Sequence, residues 1–146
     1  VTITFAVHGL PKGQPRARAR VAGKHARVYH PKNGPDANWR SDVYTAALSH
    51  RPPVPLDGPV ALAMRFFLPR PKSHFGSGRN AGIVKSSAPT IPITKPDLDN
   101  LVKLVMDVLT DLGYWRDDCQ VTVLRASKGY SDRTGCFVNL SDDGRV

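Results

Sequence analysis

Lys95-Pro96-Asp97-Leu98-Asp99-Asn100-Leu101-Val102-Lys103-Leu104-Val105-Met106-Asp107-Val108-Leu109-Thr110-Asp111-Leu112-Gly113 reads as one amphipathic helix, the clearest element of the sequence. Leu101, Leu104, Val105, Val108 and Leu112 recur on a core stripe that Val102 and Leu109 widen. An Asp opens the segment and Gly113 supplies the stop, so a helix over 97–112 is predicted. What is left over is one narrow polar stripe, Asn100, Lys103, Asp107 and Asp111. Continued through Tyr114-Trp115-Arg116-Asp117-Asp118, the same stretch holds Asp97, Asp99, Asp107, Asp111, Asp117 and Asp118, half of the chain's 12 acidic residues.

That crowding stands against a formal net charge of +9. Up to Lys95 the chain carries 15 basic and 3 acidic residues (+12), and from Pro96 onward 6 basic and 9 acidic (−3), which together give the +9. The basic part suits a polyanion, nucleic acid first among them. Arginine outnumbers lysine, which favours bidentate phosphate contacts. Carboxylates packed together in such a protein repel one another and an anionic partner unless a cation lies between them, most simply a divalent metal.

At 146 residues and 40% hydrophobic content the sequence predicts a single domain over 1–146 with a core that needs no disulfide. No apolar run reaches the ~20 residues of a membrane span, so no membrane association and a cytoplasmic location are expected. Cys119 and Cys136 each sit in a strand-like run without zinc spacing, and both are expected as buried thiols.

Outward from the helix, residues 2–8 alternate with Ile3, Phe5 and Val7 on one face, a half-buried first strand. Residues 9–35 form a basic loop or loose hairpin. Within it Arg16, Arg18 and Arg20 would point the same way in an extended chain, about 6.6 Å apart, a spacing suited to successive phosphates. A helix is predicted from Asp36 or Asn38 to the Pro52-Pro53 stop, with Trp39, Val43, Ala46, Ala47 and His50 at helical spacing. Residues 59–68 alternate as a central strand ended by Pro69, and 69–94, rich in Pro, Gly and Ser and carrying Arg70 and Lys72, read as a flexible flap. Cys119–Ala126 and Cys136–Leu140 are two further strands joined by a short polar turn and expected antiparallel. Four strands and two helices predict an α+β domain, a mixed sheet of about four strands packed against the two helices.

The chemistry concentrates on few residues. A cap uses one side chain, so Asp97 and Asp99 together, with Asp117-Asp118 after the same helix, exceed what capping needs. Hard divalent ions are held by a few carboxylates with water and substrate phosphate, and such ions activate water and stabilise the leaving oxygen of a phosphodiester. One reading is therefore a metal site of Asp97, Asp99 and Asp118, and the other a cap plus a solvated turn. Residues 98–112 span about 21 Å, so Asp118 meets Asp97 only if the following strand runs back along the helix or a second subunit supplies the contact. Lys103 either stabilises charge on the same phosphate or pairs with Asp99 and Asp107. Trp115 is expected as a core anchor for the acidic turn. An EF-hand is excluded because Leu101 and Val102 stand where a ligand and a glycine belong, and no Gly-rich phosphate loop supports a nucleotide cofactor.

The pattern Lys95-Pro96-Asp97-Leu98-Asp99-Asn100-Leu101-Val102-Lys103, then Asp107, then Gly113 to Val121, resembles the RusA family of Holliday junction resolvases. Gly9-Leu10-Pro11-Lys12-Gly13-Gln14-Pro15-Arg16 and Phe67-Leu68-Pro69-Arg70-Pro71-Lys72-Ser73-His74 extend the resemblance to residues 3–140. It implies a homodimeric, RusA-like α+β endonuclease. Such an enzyme binds four-way junction DNA in a bacterial or phage-infected cell and cuts two opposed strands with Mg²⁺, for which Mn²⁺ is a possible substitute. Asp97, Asp99 and Asp118 would be the catalytic metal ligands, Lys103 the catalytic lysine and Asp117 an auxiliary. Arg16, Arg18, Arg20, Arg70, Lys72 and Lys95 would contact DNA, Lys95 standing one position before the family's usual basic residue. One complete acidic cluster per subunit is expected. The alternatives are a non-catalytic binder of structured nucleic acid and a flap- or RNA-specific metal nuclease.

Overall fold

The computed structural model describes residues 1–15, 18–29 and 34–145. Its main sheet has four strands, β1 (Thr2–His8), β4 (Val60–Leu68), β5 (Val121–Tyr130) and β6 (Gly135–Ser141), in the order β1-β6-β4-β5. β6 is antiparallel to both β1 and β4, and β4 is parallel to β5, so the sheet is mixed as expected. Two helices pack on it, α1 (Ala37–His50) and α2 (Leu98–Asp111). Within the predicted basic loop, β2 (Arg18–Ala22) and β3 (His25–Tyr29) form a separate two-stranded sheet. Arg16 lies outside the described residues.

The core follows the alternation of β4. Val60, Leu62, Met64 and Phe66 are buried against Leu101, Leu104, Val105 and Val108 of α2 and Trp39 and Val43 of α1. Burial of Phe5 and Val7 places β1 on the same core. Asp36 occupies the N-cap position of α1, but its carboxylate makes no cap bond and instead accepts from Arg40 Nε at 3.3 Å.

Two expectations change. The last two strands run in opposite directions but do not pair, because β4 lies between them. A parallel β4–β5 pair needs a long crossover, and the 69–94 segment together with α2 provides it, which puts β5 on the far side of β4 from β6. Cys136 is buried as expected, whereas Cys119 is exposed, since it falls in a 3₁₀ turn over Asp118–Gln120 that precedes β5. The 69–94 segment contains two 3₁₀ turns, Lys72–His74 and Gly78–Asn80, and a β-bridge between Phe75 and Val84. Among the described residues no helix is long and apolar enough to cross a membrane.

Candidate metal and nucleic-acid site

α2 starts with its first two carboxylates uncovered. Asp97 is the N-cap residue, with extended backbone and no side-chain cap bond, so capping does not account for it. Asp99, in the first turn, accepts the N–H of Asn100 at 2.9 Å through one oxygen. Both side chains are exposed. The N-terminal loop is fastened beside them: Gln14 N–H donates to the Asn100 carbonyl at 2.9 Å, and a Cβ on Gly13 would stand 2.9 Å from the Asn100 Cβ. From the other side Lys128 Nζ donates to the carbonyls of Thr94 (2.8 Å) and Pro96 (2.9 Å), fixing the backbone that leads into Asp97. The sequence reading missed Lys128. Its available signal was a cation on the same strand face as Ala126, which packs on the core.

At the far end, Gly113 (φ +74°) allows a Schellman stop, its N–H donating to Thr110 (2.9 Å) and that of Tyr114 to Leu109 (3.0 Å). The aromatic pair then anchors the acidic turn, as expected of Trp115. Tyr114 donates its hydroxyl to the Ala47 carbonyl at 2.7 Å, Trp115 Nε1 donates to Thr110 Oγ1 at 2.8 Å, and both are buried. Burial raises the Tyr114 hydroxyl to a pKa of about 12. Asp117 closes a capping box around the 3₁₀ turn: its carboxylate accepts the Cys119 N–H at 2.8 Å, while Gln120 Oε1 accepts the Asp117 N–H at 3.2 Å. The bond from the Cys119 N–H, first among its causes, holds the Asp117 carboxyl below its ordinary range. Asp118 has no such duty and is exposed.

The carboxylates divide between the two ends. Asp97 borders a cleft of about 610 Å³ with Lys12, Arg70, Lys95 and Tyr130, while Asp118 borders a depression of about 590 Å³ with Asp107, Asp111, Arg116 and Asp117. β5 does run back along α2, but it delivers Lys128 to the helix start and leaves Asp118 at the helix end. Among the described residues no three His, Cys, Asp or Glu side chains are grouped to hold a metal ion. The donor chemistry at the start of α2 still fits Mg²⁺, which is commonly held by one or two carboxylates with water and substrate phosphate.

Lys103 lies between the two ends and pairs with Asp107 at 2.8 Å. That bond, and with it the charges of Asp107 and Asp118, raises the Lys103 pKa above the ordinary lysine value. Of the expected DNA contacts, Arg70 and Lys95 line the cleft beside Asp97, and Lys72 is exposed in the first 3₁₀ turn of the 69–94 segment. Arg18 and Arg20 lie in β2, with Arg20 opposite Arg27.

The sequence model of the family described as "RusA: Endodeoxyribonuclease RusA" matches residues 8–141. The chain is 35% identical over 130 residues to the uncharacterized protein YqaN of Bacillus subtilis (strain 168), covering 89% of each. It is 35% identical over 49 residues to the crossover junction endodeoxyribonuclease rusA of Lactococcus phage r1t, covering 34% of this chain and 37% of the phage protein.

Proposed function

The chain belongs to the RusA endodeoxyribonuclease family, and we propose that it resolves four-way DNA junctions through metal sites completed between two subunits. The observation that carries the shared site is the split of the carboxylates. Asp97 and Asp99 are exposed and uncapped at one end of α2, and Asp118 is equally exposed at the other. In a two-fold dimer, Asp97 and Asp99 of one subunit face Asp118 of the partner subunit, giving two symmetric sites, as paired cutting of a two-fold junction requires. Asp117, occupied in its capping box, orients the turn that presents Asp118.

Asp97, Asp99 and the partner's Asp118 would hold Mg²⁺, with Mn²⁺ a workable substitute. The chemistry such an ion supplies is an activated water and neutralisation of charge on the phosphodiester. Lys103 carries the ordinary positive charge of a lysine, which its hydrogen bond to Asp107 reinforces by raising its pKa, and it offers that charge to the phosphate when the strand is bound. Arg70, Lys72, Lys95 and the basic hairpin hold the flanking phosphates, and the reaction takes place in the cytoplasm of a bacterial or phage-infected cell.

Mixing subunits tests the sharing. Neither Asp99→Asn nor Asp118→Asn alone should cut. A mixed dimer contains one site with intact Asp97 and Asp99 from one subunit and intact Asp118 from the other, so the mixture should regain single-strand nicking of a four-way junction. If each subunit carries its own complete site, both sites of the mixed dimer are damaged and the mixture stays inactive.

A further inference from the structure

We propose that the cleft beside Asp97 receives one unstacked nucleotide flanking the scissile phosphate, with its base laid on the Arg70–Tyr130 pair. The inference rests on the endonuclease reading and adds a subsite to it. The cleft measures about 610 Å³, within the ~300–1,000 Å³ range of cavities that enclose small ligands. Its polar residues are distributed unevenly: among the described residues of its lining, Lys12, Arg70 and Lys95 supply positive charge and Asp97 the only acidic group, while Pro11, Pro69, Pro71 and Pro92 supply flat apolar walls. An anionic sugar-phosphate whose planar base presents its π-face matches that division.

The stacking surface is built in advance. The Arg70 guanidinium lies over the Tyr130 ring at 4.5 Å and is pinned there by donating to the Pro89 carbonyl at 2.7 Å, with His74 Nδ1 at 3.3 Å. His74 meets the same Tyr130 ring edge-on, with centroids 5.4 Å apart. A guanidinium plane held on an aromatic ring is a surface on which an extruded base stacks without further ordering of the protein. Other parts of the lining are fixed as well, since Lys128 holds the carbonyls of Thr94 and Pro96 and Gln14 holds that of Asn100.

The cleft therefore selects on DNA structure. A base inside continuous duplex is stacked on both faces and cannot enter, whereas a nucleotide at a branch point has already lost part of its stacking. Because Asp97 borders the cleft, filling it places the adjoining phosphate at the acidic end of α2.

The test uses four-way junctions carrying 2-aminopurine at one position at a time around the crossover, mixed with the full-length protein without divalent metal. Binding should raise the fluorescence several-fold at one position next to the cut and leave the others unchanged. Arg70→Gln and Tyr130→Ala should each suppress that rise and weaken junction binding by about 10-fold, the scale of one lost base stack. Arg70 is a half-buried loop residue, so its variant retains the fold even if the Tyr130 variant does not. No responsive position, or a response that survives Arg70→Gln unchanged, overturns the subsite. A response without any Mg²⁺-dependent cutting leaves the subsite standing and removes the nuclease reading instead.

Discussion

Asp117 and Asp118 are neighbours with different duties. Asp117 is bound to the Cys119 N–H, and Asp118 faces solvent beside Asp107 and Asp111. The two cysteines differ in the same way. Cys119 is exposed, with its thiol pKa raised first by its hydrogen bond to Asp117, while Cys136 is 2% exposed and burial pushes its thiol up to about 12. A raised thiol pKa means less thiolate at a given pH, so folded protein treated with iodoacetamide near pH 8 should be alkylated at Cys119 alone, and more slowly than a free thiol. Peptide mapping showing Cys136 labelled first would contradict this packing. Residue types and spacing made Asp97, Asp99 and Lys103 visible as candidates in the sequence. The resemblance set Asp118 as a ligand and Asp117 as an auxiliary, but the reason was not visible, because the capping of the Cys119 N–H by Asp117 depends on the 3₁₀ turn that the sequence did not show.

α2 was legible almost to the residue, predicted over 97–112 and found as Leu98–Asp111 with Asp97 as its cap. Its apolar stripe and Gly113 are local signals. Strand adjacency is not local: the polar turn expected between Ala126 and Cys136 suggested an antiparallel pair, and only the crossover through α2 shows why β5 lies on the other side of β4. The same strand carries Lys128 to the backbone before Asp97. Lys128→Met should lower cutting about 10-fold and raise the Mg²⁺ concentration needed for half-maximal rate, in the manner of residues that orient metal ligands. Lys128→Arg should recover part of both. Unchanged Mg²⁺ dependence in the Met variant would mean that the clamp does not position Asp97.

At the scale of the whole molecule, the +12 of the first 95 residues stands against the −3 of the rest, and on the proposed function the first part holds DNA while the second cuts it. Junction affinity should therefore fall steeply with salt, and Lys72→Gln should lower the slope of log affinity against log salt by about 1 without changing which junctions are preferred. An unchanged slope would remove Lys72 from the phosphate contacts. The central claim is metal-dependent resolution of branched DNA by the carboxylates of α2 and the turn that follows it. It is tested most directly by incubating a synthetic four-way junction, with matched duplex, flap and single-stranded controls, with and without Mg²⁺, using the wild-type protein and Asp99→Asn. The account predicts paired cuts on opposed strands of the junction only with Mg²⁺ and wild-type protein, and junction binding by Asp99→Asn that is equal or tighter because a negative charge is gone. Cutting by Asp99→Asn at the wild-type rate, or no Mg²⁺-dependent cutting of the junction by the wild type, would contradict it.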